Sequence, residues 1–406
     1  MLNYNPMYNG KYGDARNLSK WRDSKTTLPT PCSKETCQFV KGYMNYTYSP
    51  DYGFDQYKYC LFHLPYDLYN EKYENQGKYP WVAASNRRDD LLSRFNNGIT
   101  NIAQNFNTSR EECLNLEGAV FAQPFRPPNL ANGRAISFKK CKFHGSFDMS
   151  DYELKGDIFF NHSEFIREAN FHNTHFPGKS TFLNAIFHGP ANFSVSHNHA
   201  HALTINDILF SNAKFYERIN FRNRAFKGEA SFVGAVFKKA PIFFETKFNE
   251  SVNFDEAEFI STQYEDNGKY RNLEKKMDEA GTIKYKAKFF ALEQKCLLKG
   301  KETTLSHKLG IYAYWGFSNF GQSYTYPFIW LIIIQFVFFW IFRYSWSDEA
   351  LQILFLNAFR PLSFVKACDI TNMNLLEYIL AIIHTLLTYT SSALFILAVR
   401  RKFRLQ

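Results

Sequence analysis

The chain has 406 residues, 45% of them hydrophobic and 21% charged, which excludes a disordered polymer and leaves room for more than one module at about 150 residues per domain. Lys and Arg outnumber Asp and Glu 48 to 38, and the net charge of +10 suits an anionic membrane surface or nucleic acid and excludes an acidic mimic of DNA. Aromatic residues reach 18%, with 43 Phe and 25 Tyr, where ordinary cores lean on Leu, Ile and Val, so a repeat is the first pattern to look for.

The first residues, Met1 to Asn9, are polar and lack the apolar stretch of a secretory signal. The seven Cys show no even framework spacing, so the Cys-bearing part is expected in a reducing compartment. Residues 1–115 are rich in Tyr, Asn and Gly, have little periodicity, and read as a small N-terminal head. Within them Cys32 and Cys37 form a C-x4-C pair, and Cys60 and His63 a C-x2-H pair 22 residues further on. Two close pairs of this kind can make a tetrahedral Cys3His zinc site, which would supply folding energy to a region poor in aliphatic residues. The alternative is scattered buried Cys with a surface His. Cys113, Cys141, Cys296 and Cys368 show no pairing. A helix is predicted from Arg88 to Phe106, with Leu91, Leu92, Phe95, Ile99 and Ile102 along one side, leading into the next module and covering its first layer.

From Phe160 the Phe residues fall at 165, 171, 176, 182, 187 and 193, in steps that alternate 5 and 6. The same steps resume from Phe210 through Phe215, Phe221, Phe226, Phe232 and onward to Phe259, so the unit is 11 residues. Small residues recur two before the Phe, as at Ala169, Ala185, Ala191, Ala213, Ala230 and Ala235. Neither helix nor flat strand has this period. A coil with one short straight side per five or six residues does, with Phe and the residue two before it pointing inward. Four sides close one turn, and turns stack at about 4.8 Å, burying a continuous Phe column. Between Phe193 and Phe210 the gap is 17, which is 11 plus 6, and it contains His197, His199 and His201. An extended run would put these on one face, as metal ligands need, but an extruded polar loop is the preferred reading.

The pattern A-x-F-x5-F-x2-A-x-F, over about Phe138 to Phe259, resembles pentapeptide-repeat proteins of the Phe-rich variety. The resemblance implies a mainly β fold, a right-handed quadrilateral β-helix, here placed at 116–262. Gyrase-binding members of that family mimic DNA through acidic surfaces, and the many Lys, Arg and His of this stretch argue against such a role. The segment YCLFHLP around Cys60 and His63 looks like one that recurs in a membrane subgroup of the family.

A helical linker follows at 263–320. YRNLEKKMDEAG and the stretch through FFALE carry Leu273, Met277, Phe289, Leu292 and Cys296 at helical spacing, broken at Gly281, and would cap the open end of the β-helix. Basic residues on the other face can rest near lipid head groups.

Residues 321–406 hold two apolar segments, about Tyr326 to Phe342 and Tyr378 to Val399, against the roughly 20 residues that a membrane-spanning helix needs. Tyr324, Tyr326, Trp330, Trp340, Tyr344 and Trp346 sit near the ends of the first, as an aromatic belt would. The alternative of two buried core helices is disfavoured by the lack of charge in both segments. Arg400, Arg401, Lys402 and Arg404 follow the second segment and Lys295, Lys299, Lys301 and Lys308 precede the first, so the positive-inside rule puts both termini in the cytoplasm and the chain in the inner membrane. The intervening loop has an apolar stretch, Leu351 to Phe359, that reads as a re-entrant or a periplasmic helix. In the second segment His384, Thr388, Ser391 and Ser392 form a polar stripe, with Gln335 as its counterpart in the first. Such a stripe either lines a pore or binds helix to helix. The linker and terminal sequences are similar to bacterial pentapeptide-repeat membrane proteins whose two spans are described as ion-channel-like, although no TVGYG-type filter lies between the spans here.

No phosphate-binding loop or nucleophile elbow appears, and no enzyme activity is expected. Asp255, Glu256 and Glu258 read as a solvated face. Two functions follow. One is a membrane-permeability effector, in which the β-helix controls an oligomeric channel-like module; two spans cannot enclose a pore alone, so a homo-oligomer is implied. The other is a membrane-tethered scaffold whose β-helix binds a protein partner. Nucleic-acid binding is the weaker third, since the basic residues are dispersed.

Overall fold

The computed structural model describes Phe62 and residues 84–108, 112–128, 134–197, 204–248, 252–345 and 375–404. They belong to two compact units, Met1–Ile102 and Ala103–Gln406. The expected helix is present as α1 (Ala84–Thr108), with Phe95, Ile99 and Ile102 buried. The Phe62 ring lies 5.2 Å from that of Phe95. Gly98 makes this possible, because a Cβ there would come within 2.7 Å of the Phe62 ring.

The second unit begins with a β-helix. Its strands are two or three residues long and stack, all parallel, into two seven-stranded columns, one of four strands and one of three. Successive coils are offset by 22 residues, as in Phe143↔Phe165, the four-sided turn that a double 11-residue unit requires. Where the sequence slips, the offset becomes 28, as in Phe187↔Phe215, and the six extra residues, 198–203, fall outside the described residues.

Alternate corners, except the one after Phe193, share one rule. Two residues after an inward Phe the backbone turns left-handed, at Lys140, His162, Asn173, Asn184, Asn212, Asn223, Glu245 and Glu256, and at Gly234. Asn and Gly tolerate this conformation best. The next residue is small, buried, and closes the turn onto the Phe carbonyl, as Ser163 N donates to Phe160 O at 3.1 Å. The Phe rings then stack in register, 5.0 Å apart for Phe160 on Phe182 and 4.7 Å for Phe165 on Phe187, while neighbouring columns meet edge to face, as Phe147 does Phe160 at 86°. Both geometries suit the ring quadrupole. The alanines expected inward, 169, 185, 191, 213, 230 and 235, are buried.

Arg224 departs from the rule. It occupies the small-residue position after Phe221, yet is 1% exposed. Elsewhere that position is a buried alanine, as at Ala185, Ala213, Ala235 and Ala257, or carries a hydroxyl or thiol reaching the carbonyl one coil back, as Thr246 Oγ1 does Phe221 O and Ser163 Oγ does Phe138 O. After Phe193 the equivalent residue, Ser196, turns instead to Asn173 Oδ1 and the His172 ring. The Arg224 guanidinium fills the interior there. It donates to Phe193 O, to Thr174 O at 2.9 Å and to Phe171 O at 3.2 Å, so it ties its own coil to the two coils before it. Burial lowers its pKa to about 9.

Two helices close the stack, α2 (Asn267–Glu279) and α3 (Ile283–Leu298). Phe289 is fully buried, edge-on to Phe254 at 5.5 Å and to Phe259 at 5.1 Å, and thus ends two Phe columns. The Tyr285 hydroxyl is shared by Asn253 Oδ1 and Asp255 Oδ1 at 2.8 Å each. Asp255, expected on a solvated face, also accepts from Lys284 Nζ at 2.6 Å, so it is part of the docking of the cap. Three helices follow: α4 (Leu305–Ser318), α5 (Thr325–Ser345) and α6 (Leu375–Arg404).

Candidate functional site

The polar residues of the two apolar segments meet where α5 packs against α6. Around them Ile334 and Phe338 of α5 are buried, with Trp330, Ile341, Leu380 and Leu387 against them. Into this apolar seam α5 sends Gln335, and α6 sends His384 and Thr388, which its helical spacing of four places on one face. Gln335 Nε2 donates to Thr388 Oγ1 at 3.1 Å. His384 Nε2 lies 3.2 Å from Gln335 Oε1 and 3.4 Å from Thr388 Oγ1. An amide oxygen only accepts, so in this arrangement Nε2 carries the imidazole hydrogen. His384 and Thr388 are buried, and the Phe338 ring covers the imidazole at 4.8 Å. Ser391 is buried on the same face, and its hydroxyl has no hydrogen-bond partner among the described residues. Ser392 is half-buried. Thr385 and Thr390 donate to carbonyls four residues back within α6.

The five residues expected as a stripe are therefore divided. Gln335, His384 and Thr388 form one network between the helices, Ser391 lies beside it, and Ser392 is outside it. Within one chain, a group that pairs across the seam stabilises the helix pair, since an unpaired amide or imidazole in an apolar layer is costly. The outward faces are apolar: Ile329, Ile332 and Phe336 of α5 and Leu386, Ile396 and Leu397 of α6 are exposed. Among the described residues, Ile379–Arg400 is the one helical stretch long and apolar enough to cross a membrane, and the apolar part of α5, Thr325–Ile341, is shorter.

Other expected sites fare differently. Cys32, Cys37, Cys60 and His63 lie outside the described residues, as do His199, His201, Cys368 and the Leu351 to Phe359 stretch. His197 lies 3.8 Å from Glu245. Cys141 and Cys296 are free thiols. Burial raises the Cys141 thiol and pushes Cys296 up to about 12, so neither is a ready nucleophile. The docking role of Asp255 was missed because its partners, Lys284 and Tyr285, lie about 30 residues away in a different type of element. Asn at 173, 184, 212 and 223 and Gly234, each two residues after a Phe, are a readable signal of these corners.

Residues 152–197 match the family model for pentapeptide repeats, nine copies. No curated protein and no solved structure matches the chain. The chain thus joins a pentapeptide-repeat β-helix to a helical C-terminal part containing one helix with the length and apolarity of a membrane span.

Proposed function

We propose that this is a bacterial inner-membrane protein in which α5 and α6 form a two-helix anchor, both termini face the cytoplasm, and the β-helix presents its flat outer faces to a protein partner. The observation that carries the anchoring reading is the pairing of Gln335, His384 and Thr388 with one another across the seam. Side chains so engaged hold the two helices together and leave the lipid-facing surface apolar. The head at 1–115, with zinc on Cys32, Cys37, Cys60 and His63, and the linker at 263–320 complete the arrangement. No catalytic role is assigned to it.

The second reading is an oligomeric, ion-channel-like membrane module controlled by the β-helix. What favours it is an ionisable side chain, His384, in the middle of an apolar helix, beside a Ser391 hydroxyl with no described partner. Ion flux decides between the two. The purified full-length protein is reconstituted in dye-loaded liposomes as wild type, His384→Ala and Gln335→Leu, with melting temperatures measured alongside. The anchoring reading expects no flux from any of the three and lower melting temperatures for both variants. Flux from wild type that either substitution alters would replace it with the channel reading.

A further inference from the structure

Helix α4 is apolar on the side that faces away from the protein. Its inner face is conventional: Ile311 and Ser318 are buried, and Ile311 joins Ala291 and Phe320 in a small core. On the opposite face Leu305 is 74% exposed, Leu309 61% and Tyr312 52%, at spacings of four and three that align them as one stripe. Trp315, 44% exposed, flanks it, with its ring 6.4 Å from that of Tyr312. The helix has no carboxylate, and His307 and Lys308 are its basic residues. A helix apolar on both faces belongs in a core or in lipid, and the inner face alone is in a core.

Three further features identify what covers the outer stripe. The helix has 14 residues, a length of about 21 Å at 1.5 Å per residue, too short to cross the roughly 30 Å of hydrocarbon, so its apolar outer face would meet lipid only by lying along the interface. It is fixed to the apolar hairpin: Asn319, Phe320 and Gly321 all take left-handed backbone and turn the chain sharply, Trp330 Nε1 of α5 donates to Gly316 O at 2.9 Å, and the Trp330 ring lies 4.9 Å from that of Phe317. The exposed stripe is therefore continuous along the chain with the exposed apolar surface of α5. In sequence the helix is flanked by Lys301 before it and by Tyr324 and Tyr326 after it, and carries Lys308 itself; bases and amphipathic rings of this kind suit a headgroup layer.

We infer that α4 is an interfacial helix, with Leu305, Leu309 and Tyr312 seated at the headgroup–acyl boundary of an anionic bilayer, on the side that carries the β-helix. It sets the depth of the hairpin and holds the capped end of the β-helix at the membrane surface, through Gln322 Nε2 donating to Ala287 O of α3 at 2.9 Å. The inference rests on the membrane reading of α5 and α6, and its test separates the two.

The photocrosslinker p-benzoylphenylalanine is placed singly at Leu309, Tyr312, Ile333 and Asp278 of the full-length protein. Each variant is reconstituted in vesicles of phosphatidylethanolamine with tritiated phosphatidylglycerol. All four side chains are exposed, so none of the replacements disturbs the core. Lipid adducts are expected at 309, 312 and 333, with none at 278. Adducts at 333 but none at 309 and 312, or chain-to-chain crosslinks at 309 and 312, would overturn the interfacial helix while leaving the membrane hairpin in place. Absence of adducts at 333 as well would remove both.

Discussion

At the scale of single residues, Arg224 puts a guanidinium inside the Phe stack where neighbouring coils carry a small side chain, such as Thr174 and Thr246. Arg224 is retained there because its five donors, held in a planar fork, can reach carbonyls of two coils at once, which an ammonium cannot do. Arg224→Ala takes the guanidinium donors from those carbonyls, of which Phe171 O keeps the Thr174 N–H at 3.2 Å, and opens a cavity beside them; it is expected to cost about 2 to 4 kcal/mol. Arg224→Lys should recover little of it. Circular-dichroism melting of the two variants beside wild type measures this, and unchanged melting in Arg224→Ala would refute the strut. Glu164 supplies the pH dependence. It accepts from His188 Nε2 at 2.9 Å and lies 3.5 Å from Lys142 Nζ. The His188 hydrogen bond first, then Lys142, holds its carboxyl below the usual 4.5. A carboxyl depressed on folding stabilises the protein above its unfolded pKa, and the contribution disappears as pH falls through the folded value. The stability gap between wild type and Glu164→Gln should therefore be constant near neutral pH and close below about pH 4.5. Denaturant midpoints at stepped pH values test it, and a gap unchanged down to the acid limit would contradict the assignment.

At the scale of elements, a solenoid needs ends, because the last coil exposes both strand edges and apolar rings. The α2–α3 pair meets that need through Phe289, which sits on Phe254 and Phe259. Phe289→Ala should cost about 3 to 5 kcal/mol and, by uncovering two Phe columns, drive association. Size-exclusion chromatography should show a shift to larger species, and a monodisperse variant melting like wild type would mean that the cap is dispensable. The N-terminal head makes a separate prediction. With zinc on Cys32, Cys37, Cys60 and His63, the purified full-length protein should carry about one zinc per chain by atomic emission, and Cys60→Ser should lose it. Protein free of zinc when purified without chelator would leave the four residues as ordinary buried Cys and a surface His.

At the scale of the whole molecule, the charge pattern around the two apolar helices orients everything else. Basic residues lie before α5 and at the end of α6, so both termini should be cytoplasmic. Reporter fusions that are active on one side only should give the cytoplasmic signal at residue 1 and at residue 406 alike. Opposite signals would mean that α6 crosses alone and that α5 lies on the membrane, a geometry its shorter apolar stretch permits. Under the proposed function, cytoplasmic signals at both residues would direct the search for a partner of the β-helix to the cytoplasm.

Much of this molecule was legible as sequence, and for a definite reason. In a solenoid each residue contacts the residue one turn away, so spatial periodicity is sequence periodicity. The 5 and 6 steps thus foretold four columns of parallel strands, and the slip of 6 after Phe193 foretold the change of register. The inward alanines followed from the same alternation. The Cys and His spacing and the polar stripe were likewise readable as candidates, because local spacing limits which side chains can share a face. What the period could not show is whatever breaks it. Arg224 stands where the period offers a small residue, and only the folded stack reveals that Ser196 turns away and leaves an interior position to fill. Asp255 reads as solvated until the cap folds back over it. Whether Gln335 faces His384 or lipid depends on the rotation of one helix against another, which no single helix period determines. Sequence alone determined the elements whose contacts are local or repeat at a fixed interval; tertiary structure decided those that depend on two distant segments meeting once, since a contact made once leaves no period to read.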